Sequence, residues 1–132
     1  MLHGYAFHYK LRAMQVDAHT GKLPPSHSFV TVKPENLVLT AMKKSEDGNS
    51  LILRFYEWAG KKTTAEITVP DGAGHATAAS LMENAEGQPL SISGNRVEVP
   101  VGPYSINTVR IDYSNRGADF WLAPHYARTR VV

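Results

Sequence analysis

From Pro34 to Gly60 the chain reads PENLVLTAMKKSEDGNSLILRFYEWAG: two runs of apolar, β-branched and aromatic residues either side of Ser45-Glu46-Asp47-Gly48-Asn49. The short middle stretch is rich in turn formers. Asp and Asn side chains bond nearby backbone, and Gly accepts positive φ at no steric cost. Two strand-like runs joined this closely predict a β-hairpin, with arms at Leu37 to Lys44 and Leu51 to Trp58. In the second arm Leu51, Leu53 and Phe55 fall on one face, and Ile52, Arg54 and Tyr56 on the other. Both faces are largely apolar, which predicts a central strand in which Arg54 needs a partner or a route to water.

The rest of the chain repeats this pattern. Phe29 to Lys33 alternates. Ala65, Ile67 and Val69 alternate with Thr64, Glu66 and Thr68, and the run stops at Pro70-Asp71-Gly72. Ala76 to Glu83 holds helix formers but lacks a cap. Thr77, Ala79 and Leu81 alternate, so it is read as a strand among strands. Leu90 to Ser93 precedes the turn Ser93-Gly94-Asn95, and Val97, Val99 and Val101 continue to the turn at Gly102-Pro103. In the last run, Tyr104 to Tyr113, the apolar parity changes between Ile106 and Val109; a one-residue bulge near Asn107-Thr108 would return both sets to one face. Seven or more short strands and no helix predict an all-β fold, an antiparallel β-sandwich of two packed sheets. Its core is expected to gather Leu39, Leu53, Phe55, Ile67, Val99 and Val109.

The sequence of 132 residues suits one domain, and its hydrophobic fraction of 42% suits a packed one. We expect residues 1–113 to form it. Within them, residues 1–28 read as an N-terminal edge strand, with Tyr5, Phe7, Tyr9 and Leu11 alternating, and a connector through Leu23-Pro24-Pro25-Ser26 that crosses between sheets. Residues 114–132 form a tail whose Phe120, Trp121 and Leu122 either dock or belong to a disordered end. An exposed edge strand at Tyr5 to Leu11 is a route to a homo-oligomer.

Charge excludes some partners. Fourteen basic residues face twelve acidic ones, and the only basic doublets, Lys43-Lys44 and Lys61-Lys62, adjoin predicted turns. A nucleic-acid partner would require a larger basic surface with interleaved aromatics. No run approaches the roughly 18 apolar residues of a membrane span, and the N-terminus lacks the apolar core of a signal peptide. The chain is therefore expected to be soluble, without nucleic-acid or membrane partners and with its compartment unassigned. It has no cysteine, which removes disulfides and thiolate metal sites.

Catalytic signals are weak. The six histidines, His3, His8, His19, His27, His75 and His125, show no zinc-like spacing. Asp17 and His19 make the nearest approach to a ligand pair, and Asp17 equally suits a turn. Glu46 and Asp47 are neighbours in one tight loop, so they cannot approach a glycosidic bond from opposite sides. Asp47 is expected to stabilise that turn and Gly48 to supply its positive φ. No cofactor, metal or catalytic residue is predicted. The densest mixed cluster is Arg54, Tyr56, Glu57 and Trp58. It reads as core and rim, as a surface docking another domain, or as an aromatic platform for a glycan.

The segment VLTAMKKSEDGNSLILRFYE resembles one near the C-terminus of glycoside hydrolase family 38 α-mannosidases. Ser26 to Val30, Pro34-Glu35-Asn36, Lys43-Lys44, Glu46-Asp47 and Leu53-Arg54-Phe55-Tyr56-Glu57 fit that pattern, and Leu81-Met82-Glu83, Leu90 and Gly102-Pro103-Tyr104-Ser105-Ile106 fit it more loosely. Ser105 departs from the glutamate usual there. The resemblance covers about Tyr9 to Tyr113. It implies a β-sandwich appendage, with the zinc ligands and reacting carboxylates in a separate N-terminal catalytic domain whose motifs this chain does not contain. It therefore implies a non-catalytic accessory domain whose partner is that catalytic domain. A stand-alone carbohydrate-binding module and a protein-interaction sandwich remain the alternatives.

Overall fold

The computed structural model describes residues 11–18, 20–48 and 50–113. Their alternating runs become eight strands: β1 (Thr31–Lys33), β2 (Leu37–Lys44), β3 (Ser50–Glu57), β4 (Thr63–Thr68), β5 (Ala73–Ala79), β6 (Ser91–Ser93), β7 (Arg96–Val101) and β8 (Ile106–Tyr113). They build two four-stranded antiparallel sheets, ordered β1-β4-β7-β6 and β2-β3-β8-β5. The hairpin at Ser45 to Asn49 joins β2 to β3, and Gly48 holds φ at 83° as its turn requires.

Period-two placement puts the core between the sheets. Leu53, Phe55, Ile67, Val99 and Val109 are buried in one cluster with Leu51, Ala65, Val69, Val97, Val101 and Ile111, and Leu39 packs against it half-buried. The predicted core therefore stands. β3 lies between β2 and β8, the central place predicted from its two apolar faces.

The two outer faces differ. Across β4 and β7 the outward residues are polar apart from Pro100, and Arg96 meets Glu66 at 3.4 Å. On the other sheet Ile52 points outward yet is only 1% exposed. A strap from Ser80 to Asn84 is tied to the residues that flank Ile52, Arg54 on β3 and Lys43 on β2. Arg54 Nη2 donates to the Leu81 carbonyl at 2.8 Å, and Lys43 Nζ meets Glu83 at 2.5 Å. Glu83 takes φ of 68° to make the bend. The chain then returns along β5, where Gly87 N–H donates to the Ala78 carbonyl and Leu90 N–H to that of Ala76, before entering β6 of the opposite sheet.

Three expectations need correction. β8 pairs with β3 in unbroken register from Ser50↔Asp112 to Tyr56↔Ile106, so it carries no bulge at Asn107-Thr108. The parity change is real instead: Ile106 faces outward and is 65% exposed, while Val109 and Ile111 face the core. The register shifts fall in β2, between Leu39 and Ala41, and in β5, between Ala73 and His75. In β2 the extra residue, Thr40, donates its hydroxyl to the Arg54 carbonyl at 3.0 Å. The strand expected at Ala76 to Glu83 starts earlier and ends at Ala79, because the residues after it form the strap. Residues 11–18 and 20–28, the described part of the N-terminal segment, form no strand and are exposed. The alternation at Tyr5 to Tyr9 and the tail aromatics lie outside the described residues.

Candidate functional site

Glu57 ends β3 on the inward parity of Leu53 and Phe55, and is 1% exposed. An unpaired carboxylate there would be strongly disfavoured. Four donors meet it. Oε1 accepts from Asn36 Nδ2 at 2.8 Å and from the Ala59 N–H at 2.8 Å. Oε2 accepts from the N–H groups of Gly60 at 2.7 Å and Tyr104 at 3.0 Å. Among the described residues no ion pair involves it; the donors are neutral dipoles. Burial pushes its pKa up, but the bonds from Tyr104, Asn36, Ala59 and Gly60 together outweigh burial and bring it down to about 2. With both oxygens doubly engaged and the group firmly ionised, Glu57 is unsuited to giving or taking a proton. It is a fixed anchor.

That anchor gathers three loops: Pro34 to Asn36, Trp58 to Gly60, and Gly102 to Ser105. Further backbone bonds reinforce it, from Trp58 N–H to the Asn36 carbonyl at 3.1 Å and from Glu57 N–H to that of Ser105 at 3.0 Å. Ser105, where the resembled pattern has glutamate, donates its hydroxyl to the Gly102 carbonyl at 2.8 Å and accepts from Asn107 Nδ2 at 3.0 Å. A turn closure replaces any ion pair there.

Two rings stand out from this assembly. Trp58 is 40% exposed, with Nε1 donating to the Glu35 carbonyl at 3.3 Å. Tyr104 is 73% exposed and sits at φ of 52°, a left-handed backbone unusual for a bulky residue. Its ring lies over Gly60, itself at φ of 72°, where an added Cβ would come within 2.5 Å of Tyr104 Cζ and Oη.

The predicted cluster of Arg54, Tyr56, Glu57 and Trp58 is thus divided. Arg54 lies on the outer face of β3, donating from Nε to Thr108 Oγ1 at 3.2 Å as well as to the strap. Tyr56 shares that face, opposite Val38 and Ile106. Glu57 faces inward, and Trp58 belongs to the loop that Glu57 holds. Asn36, Gly60 and Tyr104 complete the assembly and are not among the candidate site residues of the sequence. Asn36 and Tyr104 enter there only through the family pattern, and Tyr104 as the first residue of the last run, after the turn at Gly102-Pro103. Asp47 stabilises its turn as expected, accepting from Ser45 Oγ at 2.5 Å, and also meets Arg110. Of the weak metal pair, Asp17 is exposed and His19 lies outside the described residues. Among the described residues no three His, Asp or Glu side chains are grouped to hold a metal.

The fold and its anchored loop end define an antiparallel β-sandwich module. A family model for the C-terminal β-sandwich domain of family 38 glycosyl hydrolases matches residues 36–109, from the start of the Glu57 assembly to the middle of β8. The chain belongs to that family. No curated protein and no solved structure matches it.

Proposed function

We propose that this chain is a non-catalytic accessory domain of an α-mannosidase-like, metal-dependent glycoside hydrolase, and that residues 1–113 act as one module packed on a separate catalytic domain. The observation that carries this reading is the family match across residues 36–109, which spans six of the strands, β2 to β7, and part of β8. The chemistry of the acids supports it. Glycoside hydrolysis requires two carboxyl groups placed across a scissile bond. Here Glu57 is held by four donors, Asp47 and Asp112 share Arg110, Glu83 meets Lys43, and Glu66 meets Arg96. These carboxylates serve the fold. Leu11, Met14, Val16 and Leu23 are exposed beside the sandwich and offer apolar surface to the catalytic domain or to a second copy.

The test is co-purification. The chain, expressed with a family 38 catalytic domain lacking its own C-terminal sandwich, should bind that domain and raise its thermal stability and turnover. Alone, it should release nothing from an aryl α-mannoside. Turnover by the isolated chain that survives purification and disappears in Asp47→Asn would overturn the reading.

A further inference from the structure

Tyr104 combines three features that an ordinary turn residue does not require. Its backbone is left-handed at φ of 52°, a conformation that Gly, Asn or Asp adopts more readily. Its N–H is bound to a buried carboxylate that also fixes Ala59, Gly60 and Asn36. Its ring is laid on a position where any side chain would collide with it. Disfavoured backbone that persists because its surroundings over-determine it points toward function. What the arrangement achieves is a ring held still, one side against Gly60, with 73% of the residue open to solvent.

We infer that Tyr104, seated on Gly60, is the stacking platform of a carbohydrate-binding subsite that takes a pyranose ring of an oligosaccharide. A pyranose presents a face of C–H groups, which packs on an aromatic face, and a rim of hydroxyls, which need polar neighbours. Tyr104 supplies the face together with its own hydroxyl. Lys61 and Lys62, exposed and next in the chain to Gly60, are charged donors that follow it directly in sequence. Trp58, two residues before Gly60, adds a second, partly exposed ring whose indole N–H is already fixed by Glu35. Rigidity favours a sugar over a protein partner. A protein interface spreads its contact over many side chains and can order a ring as it forms. A subsite resting on one ring gains from having that ring ordered beforehand. This inference goes beyond the accessory role, since the subsite uses only residues of this chain.

The experiment is a titration of the labelled chain with an α-linked mannotriose, followed by amide chemical shifts, with cellotriose and mannitol as comparators. We expect saturable shifts confined to residues 58–62 and 102–106 with a trisaccharide and none with mannitol. Tyr104→Gly suits the left-handed backbone and deletes the ring; it should weaken binding by about tenfold or more. Tyr104→Asn, also tolerant of that backbone, should do the same, and it replaces the glycine variant if that fails to fold. Tyr104→Phe keeps the ring and should retain binding. Absence of saturable shifts in the wild type, or shifts that survive Tyr104→Gly, would overturn the subsite. If the wild type ignores sugars while Tyr104→Gly loses a catalytic domain that the wild type binds, the platform is a protein-docking face. The sugar assignment then falls, and the accessory reading stands.

Discussion

β3 and β8 run side by side through one sheet, and carboxylates organise both ends of the pair by opposite means. At the Ser50 end, Arg110 lies between Asp47 at 2.5 Å and Asp112 at 3.0 Å, while the Ser45 and Ser50 hydroxyls donate to the same two acids. The Asp47 hydrogen bond, opposed by burial and helped by Asp112, raises the Arg110 pKa further. The two aspartates remain about half exposed, at 48% and 42%. At the other end Glu57 is buried, and four neutral donors hold it. A charge that water can reach is balanced by another charge, and the gain is small and screened. A buried charge is solved with dipoles, and this solution dictates the conformation of three loops. The first end ties a hairpin down; the second shapes a surface.

The sharpest way to break this contrast is Glu57→Ala. It strands the Asn36 amide and three backbone N–H groups, and thermal unfolding should show the largest loss of Tm in this set, with chemical shifts altered across all three loops. A protein that melts like wild type would show that the loops hold themselves. Gly60→Ala comes next. It forces a side chain into left-handed backbone and against the Tyr104 ring, and should cost about 1–2 kcal/mol by denaturant titration. Acid offers a graded test. Glu57 has a pKa of about 2 in the fold against an ordinary 4.5, so its contribution is complete above about 4.5 and fades as pH falls toward about 2. The Tm gap between wild type and Glu57→Gln should therefore be widest near neutrality and close across that window. A gap that is constant with pH would mean the substitution acts through shape alone. The smallest effect belongs to Arg110→Met, which keeps the apolar stem near Ile52 but removes the charge. It should cost about 1 kcal/mol or less, and the difference should shrink as salt is added.

The two ends also differ in how far sequence alone revealed them. The hairpin was plain because Ser45 to Asn49 is local: residues that turn lie between two alternating runs, and neighbours in sequence fix the geometry. The core was plain for the same reason, since period two assigns Leu53, Phe55 and Ile67 a face before any partner strand is known. The Glu57 end was not legible. Two of its four donors are 21 and 47 residues from Glu57 in the chain, and three of the four are backbone groups, which every residue possesses. Ile106 and Leu81 both mislead. An exposed isoleucine suggests a bulge that does not exist, and the alternation that runs on to Leu81 suggests strand where the chain leaves β5 after Ala79. In both places a distant segment decides what an apolar residue faces, and alternation carries no information about it.

β8 comes last in the chain among the eight strands, yet it lies inside its sheet between β3 and β5. During synthesis the β2–β3 hairpin and the whole β1-β4-β7-β6 sheet can form from chain already made. β3 and β5 of the other sheet then have no common neighbour until Ile106 to Tyr113 emerges. That strand must find a partner about sixty residues upstream, a long-range closure of the kind that slows folding. Until it does so, the edge of β3 that β8 will pair with stays open. A nascent chain that has emerged only as far as Val101 would therefore have one sheet assembled and the other in two pieces, and such a chain is a substrate for chaperones.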